Sequence, residues 1–492
     1  MRGGRGVSDA INMKAIAMTL SNNMHAGSAA TRRESDLLGH LDVPASAYYG
    51  IQTLRAVHNF TLSGVSLSHH PRLIMALAMV KQAAADANHR LGNLETRRFE
   101  AIEHACQRII HGEYHDQFVV DMIQGGAGTS TNMNANEVIA NVGLEFLGRA
   151  RGDYQHLHPN NDVNMAQSTN DAYPTAIRLG LMLGHDDLLE SLSGLCRSFS
   201  RKGDAFADVL KMGRTQLQDA VPMTLGQEFH AFATTLGEDH DHLKRRVPML
   251  LRAVNLGGTA IGTGINTDAR YQKIAVERLA AISEHDVAPA HDLIEATSDM
   301  GDFVMFSGML KRLAVKLSKI CNDLRLLSSG PRTGFNEINL PARQPGSSIM
   351  PGKVNPVIPE AVNQVAFDVI GNDLSLSLAA EAGQLQLNVM EPLIVYKIFD
   401  SIRLLTRAMD MLGTLCVDGI TANEAHCREL VERSIGLVTA LNPYIGYDNA
   451  TRIAQKALTT GRGVLELVRE ENLLDDNTLT EALRPENMVM PR

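Results

Sequence analysis

The chain has 492 residues, a formal net charge of −9 and a pI near 6.1, a balance that argues against a nucleic-acid binder, whose surface is ordinarily basic. It is 44% hydrophobic and 21% charged, as expected of a soluble globular protein of two to four domains, and no window approaches the about eighteen apolar residues of a membrane span. Trp is absent and aromatics make up 4%, so the core is expected to be aliphatic. The cysteines, Cys106, Cys196, Cys321, Cys416 and Cys427, are scattered without a C-x-x-C. That pattern reads as free thiols in a reducing compartment, hence a cytoplasmic protein.

Residues 1–34 stand apart. Met1-Arg2-Gly3-Gly4-Arg5-Gly6 and Ala26-Gly27-Ser28-Ala29-Ala30-Thr31-Arg32-Arg33 hold few large apolar side chains, and the stretch is basic and poor in acids. It reads as a flexible extension. The composition also admits a transit peptide but lacks the apolar core of a secretory signal. An N-terminal domain is expected over 35–169. Within it, 71–93 and 96–111 carry helical spacing. Two polar loops follow, Gln124-Gly125-Gly126-Ala127-Gly128-Thr129-Ser130-Thr131-Asn132-Met133-Asn134 and Gln167-Ser168-Thr169-Asn170-Asp171.

A central domain over 170–425 is expected to be a series of long helices. The clearest covers 302–327, where Phe306, Leu310, Leu313, Leu317, Ile320, Leu324 and Leu327 are spaced 4, 3, 4, 3, 4, 3, the seam of a coiled-coil-like helix. Such a helix is roughly 40 Å long. Val304, Met309, Val315 and Leu326 lie off the seam. A helix apolar on more than one face must bury more than one, so subunits of a homo-oligomer are expected to share the bundle. Residues 426–492 read as a small C-terminal domain of shorter helices.

Within the central domain, the stretch 346–356 reads as a loop. Gly346 and Gly352 reach backbone conformations that other residues resist, and Pro345, Pro351 and Pro356 interrupt helices. The loop gathers the hydroxyls of Ser347 and Ser348, the Lys353 ammonium and the Asn355 carboxamide. Pro359 suits the first turn of a following helix, whose N-terminal dipole adds positive potential. A Ser-Gly-Pro loop is often only a connection, but this set is equipped to meet an anion with a nucleophile or base in hand. No metal site is expected from the histidines. His240 and His242 lie two apart on a helix and point to different sides, His69-His70 lack acidic or cysteine neighbours, and His111 and His115 flank Gly112 without an H-E-x-x-H pattern. The Gly-rich run 255–264 follows neither the dinucleotide nor the Walker spacing.

The string Gly346-Ser347, Met350, Lys353, Asn355 resembles the G-S-x-x-M-x-x-K-x-N signature of the fumarase/aspartase superfamily. Gly128-Thr129-Ser130 with Asn132-Met133-Asn134, then Gln167-Ser168-Thr169-Asn170-Asp171, then Gly213-Arg214-Thr215-Gln216-Leu217-Gln218-Asp219-Ala220 resemble its other elements in the same order. The likeness covers residue 35 to about 480. Within the superfamily, Asn336-Glu337-Ile338-Asn339-Leu340-Pro341 and Gly383-Gln384-Leu385-Gln386-Leu387-Asn388-Val389-Met390-Glu391-Pro392 resemble the aspartate ammonia-lyases most. The resemblance implies an all-α fold of three domains with long central helices forming a twenty-helix bundle in a homotetramer. It implies active sites that each draw on three subunits, a small dicarboxylate or amino-acid substrate, and neither nucleic acid nor membrane as partner. No organic cofactor is implied; some aspartases are activated by Mg2+, but no motif marks a site for it.

The implied reaction is the reversible β-elimination of ammonia from L-aspartate to give fumarate. Removing the Cβ proton leaves a dianionic aci-carboxylate, which fixed donors aimed at the charge stabilise. By resemblance Thr129, Ser168, Thr169, Asn170, Thr215 and Gln216 bind substrate, Lys353 meets a carboxylate, Asn355 orients it, and Ser347 is the general base acting as an alkoxide. An ordinary serine is too weakly acidic for that, so the loop must activate it. Gln216 stands where fumarases, and some aspartases, carry His. Hydroxide is a poor leaving group that needs a proton donor, and His suits that work. An ammonium group leaves without an added proton, so Gln216 fits deamination better than dehydration. The small Gly352 and Val354 suit a four-carbon substrate, unlike the bulky ones of argininosuccinate and adenylosuccinate lyases. Two alternatives remain: a fumarate hydratase, and a non-catalytic structural protein on the same fold. The intact set of polar site residues argues against the second.

Overall fold

The 3.6-residue periodicity of the long apolar segments governs the architecture. A computed structural model describes residues 30–346 and 348–489, excepting the side chains of residues 485 and 486. Its main helices are, in chain order, Ile51–Asn59 (α1), Pro71–Arg90 (α2), Thr96–Ile110 (α3), Thr129–Phe146 (α4), Thr169–Ala205 (α5), Leu225–Leu251 (α6), Tyr271–Ser283 (α7), Gly301–Leu327 (α8), Val357–Glu381 (α9) and Glu391–Leu415 (α10). The C-terminal segment adds Glu424–Arg433 (α11), Leu437–Ile445 (α12), Tyr447–Thr460 (α13), Val464–Glu470 (α14) and Asp476–Ala482 (α15). Among the described residues, strands occur as pairs: Thr31–Asp36 (β1) with Gly39–Pro44 (β2), Leu210–Thr215 (β3) with Gln218–Thr224 (β4), Ala253–Val254 (β5) with Ala288–Pro289 (β6), and Ile338–Asn339 (β7) with Thr421–Ala422 (β8). None of the described helices is long and apolar enough to cross a membrane.

The chain packs as two units. The first takes in residues up to Ala176 and Leu256–Ser283; the second takes in Ile177–Asn255 and the chain from Glu284 onward. This division differs from the three segments expected from sequence because residues 256–283 return to the first unit, where α7 packs along α2. In that unit α2 is buried on nearly every side. Its alanines at 76, 78, 83, 84, 85 and 87 let α3, α4 and α7 approach closely. The β1–β2 hairpin begins inside the stretch expected to be a flexible extension. Arg32 donates to the carbonyls of Pro44 (3.0 Å), Ala47 (2.6 Å) and Tyr49 (2.6 Å), and Glu34 accepts from the Ile51 N–H (2.8 Å), so residues 31–34 belong to the fold. The rest of that extension, residues 1–29, lies outside the described residues.

In the second unit α8 packs against α6, α9 and α10. Every seam residue expected from its spacing is buried, from Phe306 to Leu327. Off the seam, Val315 is 52% exposed, and on α9 Phe367, Leu374 and Leu378 are 62%, 64% and 62% exposed. These apolar residues are left uncovered by the described residues of the chain. The stretch expected as a series of long helices also contains the β3–β4 hairpin. Leu210 and Met212 are buried on it, the register shifts between Met212 and Arg214, and Gln216 (φ 54°) and Leu217 (φ 62°) form a tight two-residue turn of the kind that joins antiparallel strands. Thr224 then starts α6 through reciprocal bonds with Gln227, Oγ1 accepting from the Gln227 N–H (3.1 Å) and Gln227 Oε1 from the Thr224 N–H (3.0 Å). The C-terminal helices keep an apolar cluster of their own around Leu441, Ile453, Leu467, Val468 and Leu479.

Leu313 is fully buried at the α8 seam. Leu313→Ala should lower the unfolding free energy by ~2–5 kcal/mol, read as a shift in the denaturant midpoint; an unchanged midpoint would contradict the seam's place in the core.

Candidate active site

The polar loops of the first unit are fixed from beneath by one lysine. Lys81 sits in the middle of α2, fully buried. Its ammonium donates to Asn132 Oδ1 (2.6 Å), Asn164 Oδ1 (2.8 Å) and Gln167 Oε1 (2.8 Å), which together match its three N–H groups. Asn132, at the end of the first turn of α4, passes the connection on: its Nδ2 donates to Asn164 Oδ1 and to Thr169 Oγ1, each at 3.2 Å. Asn164 Nδ2 donates to the Gln167 carbonyl (3.2 Å). The turn carrying Ser168, Thr169 and Asn170 is thereby tied to the helix that Thr129 opens.

The start of α4 is itself constrained. Gly128 has φ +87°, and a Cβ there would lie 2.2 Å from the ring carbons of Tyr173, so both conformation and space require glycine. Thr129 follows, exposed, its Oγ1 donating to the Gly126 carbonyl (2.8 Å). Ser168 Oγ accepts from the Asn170 N–H (3.2 Å), and Asn170 Nδ2 donates to the Ala260 carbonyl (2.8 Å). The buried Asp171 collects the N–H groups of Ser168 (2.8 Å), Gly257 (2.9 Å) and Thr259 (3.0 Å). The Gly-rich run 255–264 thus acts as backing for this turn. Burial pushes Asp171 up to about 6, against those N–H groups and Lys81.

In the second unit, Thr215 and Gln216 stand at the exposed tip of the β3–β4 hairpin. The loop at 346–356 closes on itself. A Cβ on Gly346 would lie 2.1 Å from the Lys353 carbonyl, and the Lys353 N–H donates to the Met350 carbonyl (3.1 Å). Lys353 and Asn355 line a cavity of about 440 Å³ with Arg325, Ser328, Asn336 and Asn339. Two cations on one cavity suit an anionic ligand. Ser347 lies outside the described residues. Among the described residues, no group of three or more His, Cys, Asp or Glu is placed to hold a metal ion.

The structure therefore groups Thr129, Ser168, Thr169 and Asn170 in one unit, and Thr215, Gln216, Lys353 and Asn355 in the other. Sequence reasoning missed Lys81, Asn164 and the support beneath the hairpin. The one available signal was a lysine standing alone in the apolar run of α2.

Burial pulls the Lys81 pKa down from 10.5 to about 7, opposed by Asp171. The folded chain then binds fewer protons at this site than the unfolded chain between about 7 and 10.5, so stability rises with pH across that window. Lys81→Met removes this dependence. The unfolding midpoint of the parent should rise relative to that of the variant as pH rises through that window; a difference that stays constant would show that the three carbonyls hold the ammonium at its ordinary pKa.

Comparison with known proteins finds relatives along nearly the whole chain. A family model described as Lyase matches residues 39–371, and one described as Fumarase C C-terminus matches residues 437–490. The aspartate ammonia-lyase of Pseudomonas aeruginosa is 77% identical over 94% of this chain and 98% of its own length. That of Escherichia coli K12 is 53% identical over 96% and 97%. Among solved structures, the fumarate lyase:delta crystallin of Brucella melitensis superposes with a TM-score of 0.90 at 59% identity, covering 94% of this chain and all (100%) of that one. A class II fumarase from Schistosoma mansoni gives 0.86 at 34% identity, over 94% and 100%. Identity of this order along nearly the whole of both chains is family membership, and the chain belongs to the aspartate ammonia-lyase family of the fumarase/aspartase superfamily.

Proposed function

We propose that the chain catalyses the reversible deamination of L-aspartate to fumarate and ammonia. The observation that carries this reading is the 77% identity, over 464 residues, with a relative named aspartate ammonia-lyase. The site chemistry agrees with it. Gln216, at the hairpin tip, cannot titrate, so it offers a leaving group no proton; the ammonium of aspartate needs none. Thr129, Ser168, Thr169, Asn170, Thr215 and Gln216 supply short neutral donors. Lys353, steered by Asn355, supplies the charge for a carboxylate in a cavity that Arg325 also lines.

In the proposed reaction Ser347, as the alkoxide, takes the Cβ proton. The electron pair enters the adjacent carboxylate as an aci-carboxylate dianion, which fixed donors stabilise. The pair then returns to form the Cα–Cβ double bond as the C–N bond breaks and ammonia departs. No organic cofactor takes part in any of these steps, and we assign no Mg2+ site.

The acting species is proposed to be a homotetramer, each site drawing its polar loops from three chains. The uncovered apolar residues Val315, Phe367, Leu374 and Leu378 support this, since a single-chain surface rarely leaves a contiguous apolar stripe open. The five free cysteines support a reducing, cytoplasmic setting.

Ultraviolet absorbance should report fumarate from L-aspartate and none from L-malate. Fumarate from malate alone would overturn the deaminase reading in favour of a hydratase. Ser347→Ala should lower kcat by at least about a hundredfold with the oligomer intact; a variant of near-parental activity would remove Ser347 as the base.

A further inference from the structure

Beneath the hairpin tip lies a buried ionic cluster that the proposed chemistry does not use. Glu337 is 0% exposed. Its Oε1 lies 2.6 Å from Arg214 Nη1, and its Oε2 lies 2.9 Å from Lys211 Nζ. Lys211, also buried, makes a second ion pair with Glu228 (2.5 Å) on the first turn of α6. The Arg214 guanidinium lies over the Phe335 ring, 4.3 Å from its centre. Both cations belong to β3, and Arg214 immediately precedes Thr215.

The backbone of Glu337 is as firmly held as its carboxylate. Its N–H donates to the Leu327 carbonyl at the end of α8 (2.9 Å), and its carbonyl accepts from the Asn423 N–H (2.9 Å) beside α11. The next residue begins β7. One residue therefore joins the hairpin, through its side chain, to the end of the long central helix, through its backbone. Among the described residues, neither Thr215 nor Gln216 has a side-chain hydrogen bond of its own, so the direction of the tip depends on what holds its base. A buried ion cluster contributes little net stability compared with an apolar replacement, but its geometry is exacting: two cations must each meet one oxygen of the same carboxylate.

We propose that Glu337 is a positioning residue for the deamination, fixing through Arg214 and Lys211 where Thr215 and Gln216 present their donors to the substrate. The proposal rests on the reading that those two residues bind substrate.

The test compares Glu337→Gln, Glu228→Gln and Thr215→Ala as full-length oligomers, each assayed for kcat and KM with L-aspartate alongside its thermal midpoint. Glu337→Gln keeps the shape but leaves Arg214 facing a neutral amide. It should raise KM and lower kcat/KM by about ten- to a hundredfold, the range that misplacement of about 1 Å produces. Glu228→Gln removes an ion pair from the same lysine without touching Arg214. It should lower the midpoint while leaving KM within about twofold. If Glu337→Gln does not fold, Arg214→Lys keeps the charge but shortens and narrows the contact, and it should raise KM in the same direction. Parental KM and kcat in whichever of these two variants folds, or equal kinetic losses in Glu337→Gln and Glu228→Gln, would overturn the proposal. Parental kinetics in Thr215→Ala would remove the substrate-binding reading and the proposal with it. An impaired Thr215→Ala beside a parental Glu337→Gln would overturn the proposal alone.

Discussion

The central helices carry more apolar surface than the described residues of one chain cover, and the rest of the account depends on that constraint. The seam of α8 is filled by α6, α9 and α10, yet Val315 on α8 and Phe367, Leu374 and Leu378 on α9 stay open. Burying a large apolar side chain is worth roughly 1.5–3 kcal/mol, so leaving several exposed in a row is a standing drive toward association. The polar loops follow the same logic. Thr129, Thr215 and Lys353 are all exposed, and among the described residues Thr215 has no side-chain hydrogen bond of its own. Exposed apolar faces and exposed polar tips together suit the proposed site built where copies meet.

Buried charge holds those tips in place. Lys81 reaches three side-chain carbonyls and so fixes the turn with Ser168, Thr169 and Asn170 relative to α4. Glu337 reaches two cations and so fixes the hairpin that ends in Thr215 and Gln216. In each case a charge taken out of water is tolerated because polar or oppositely charged partners surround it. An elimination that passes through a dianion needs donors already in position, since reorganising them during the reaction would forfeit much of their benefit.

The parts of this fold legible in the sequence were those governed by local periodicity. The α8 seam spacing predicted both its span and its buried face, and the helices expected over 71–93 and 96–111 are α2 and α3. The loop at 346–356 was legible because its residue types fit a specific signature. The β3–β4 hairpin was not. Its strands are short, and the turn at Gln216-Leu217 uses left-handed conformations with neither Gly nor Asn to announce them. Lys81 and Glu337 were invisible as anchors because their partners lie far along the chain. Asn132 is 51 positions from Lys81, and Arg214 is 123 from Glu337; only tertiary folding brings them together. Residues 31–34 looked like a tail by composition, but Arg32 and Glu34 are anchors of the first unit.

The central claim is that each site takes residues from more than one copy of the chain, and subunit complementation tests it most directly. Thr215→Ala and Ser347→Ala oligomers, each expected to be strongly impaired alone, would be mixed, dissociated and reassembled. If the hairpin and the serine loop of one site come from different chains, some mixed oligomers regain a site with both intact, and fumarate formation from L-aspartate returns. If both come from one chain, every site in the mixture keeps a defect and activity stays absent, which would contradict the account.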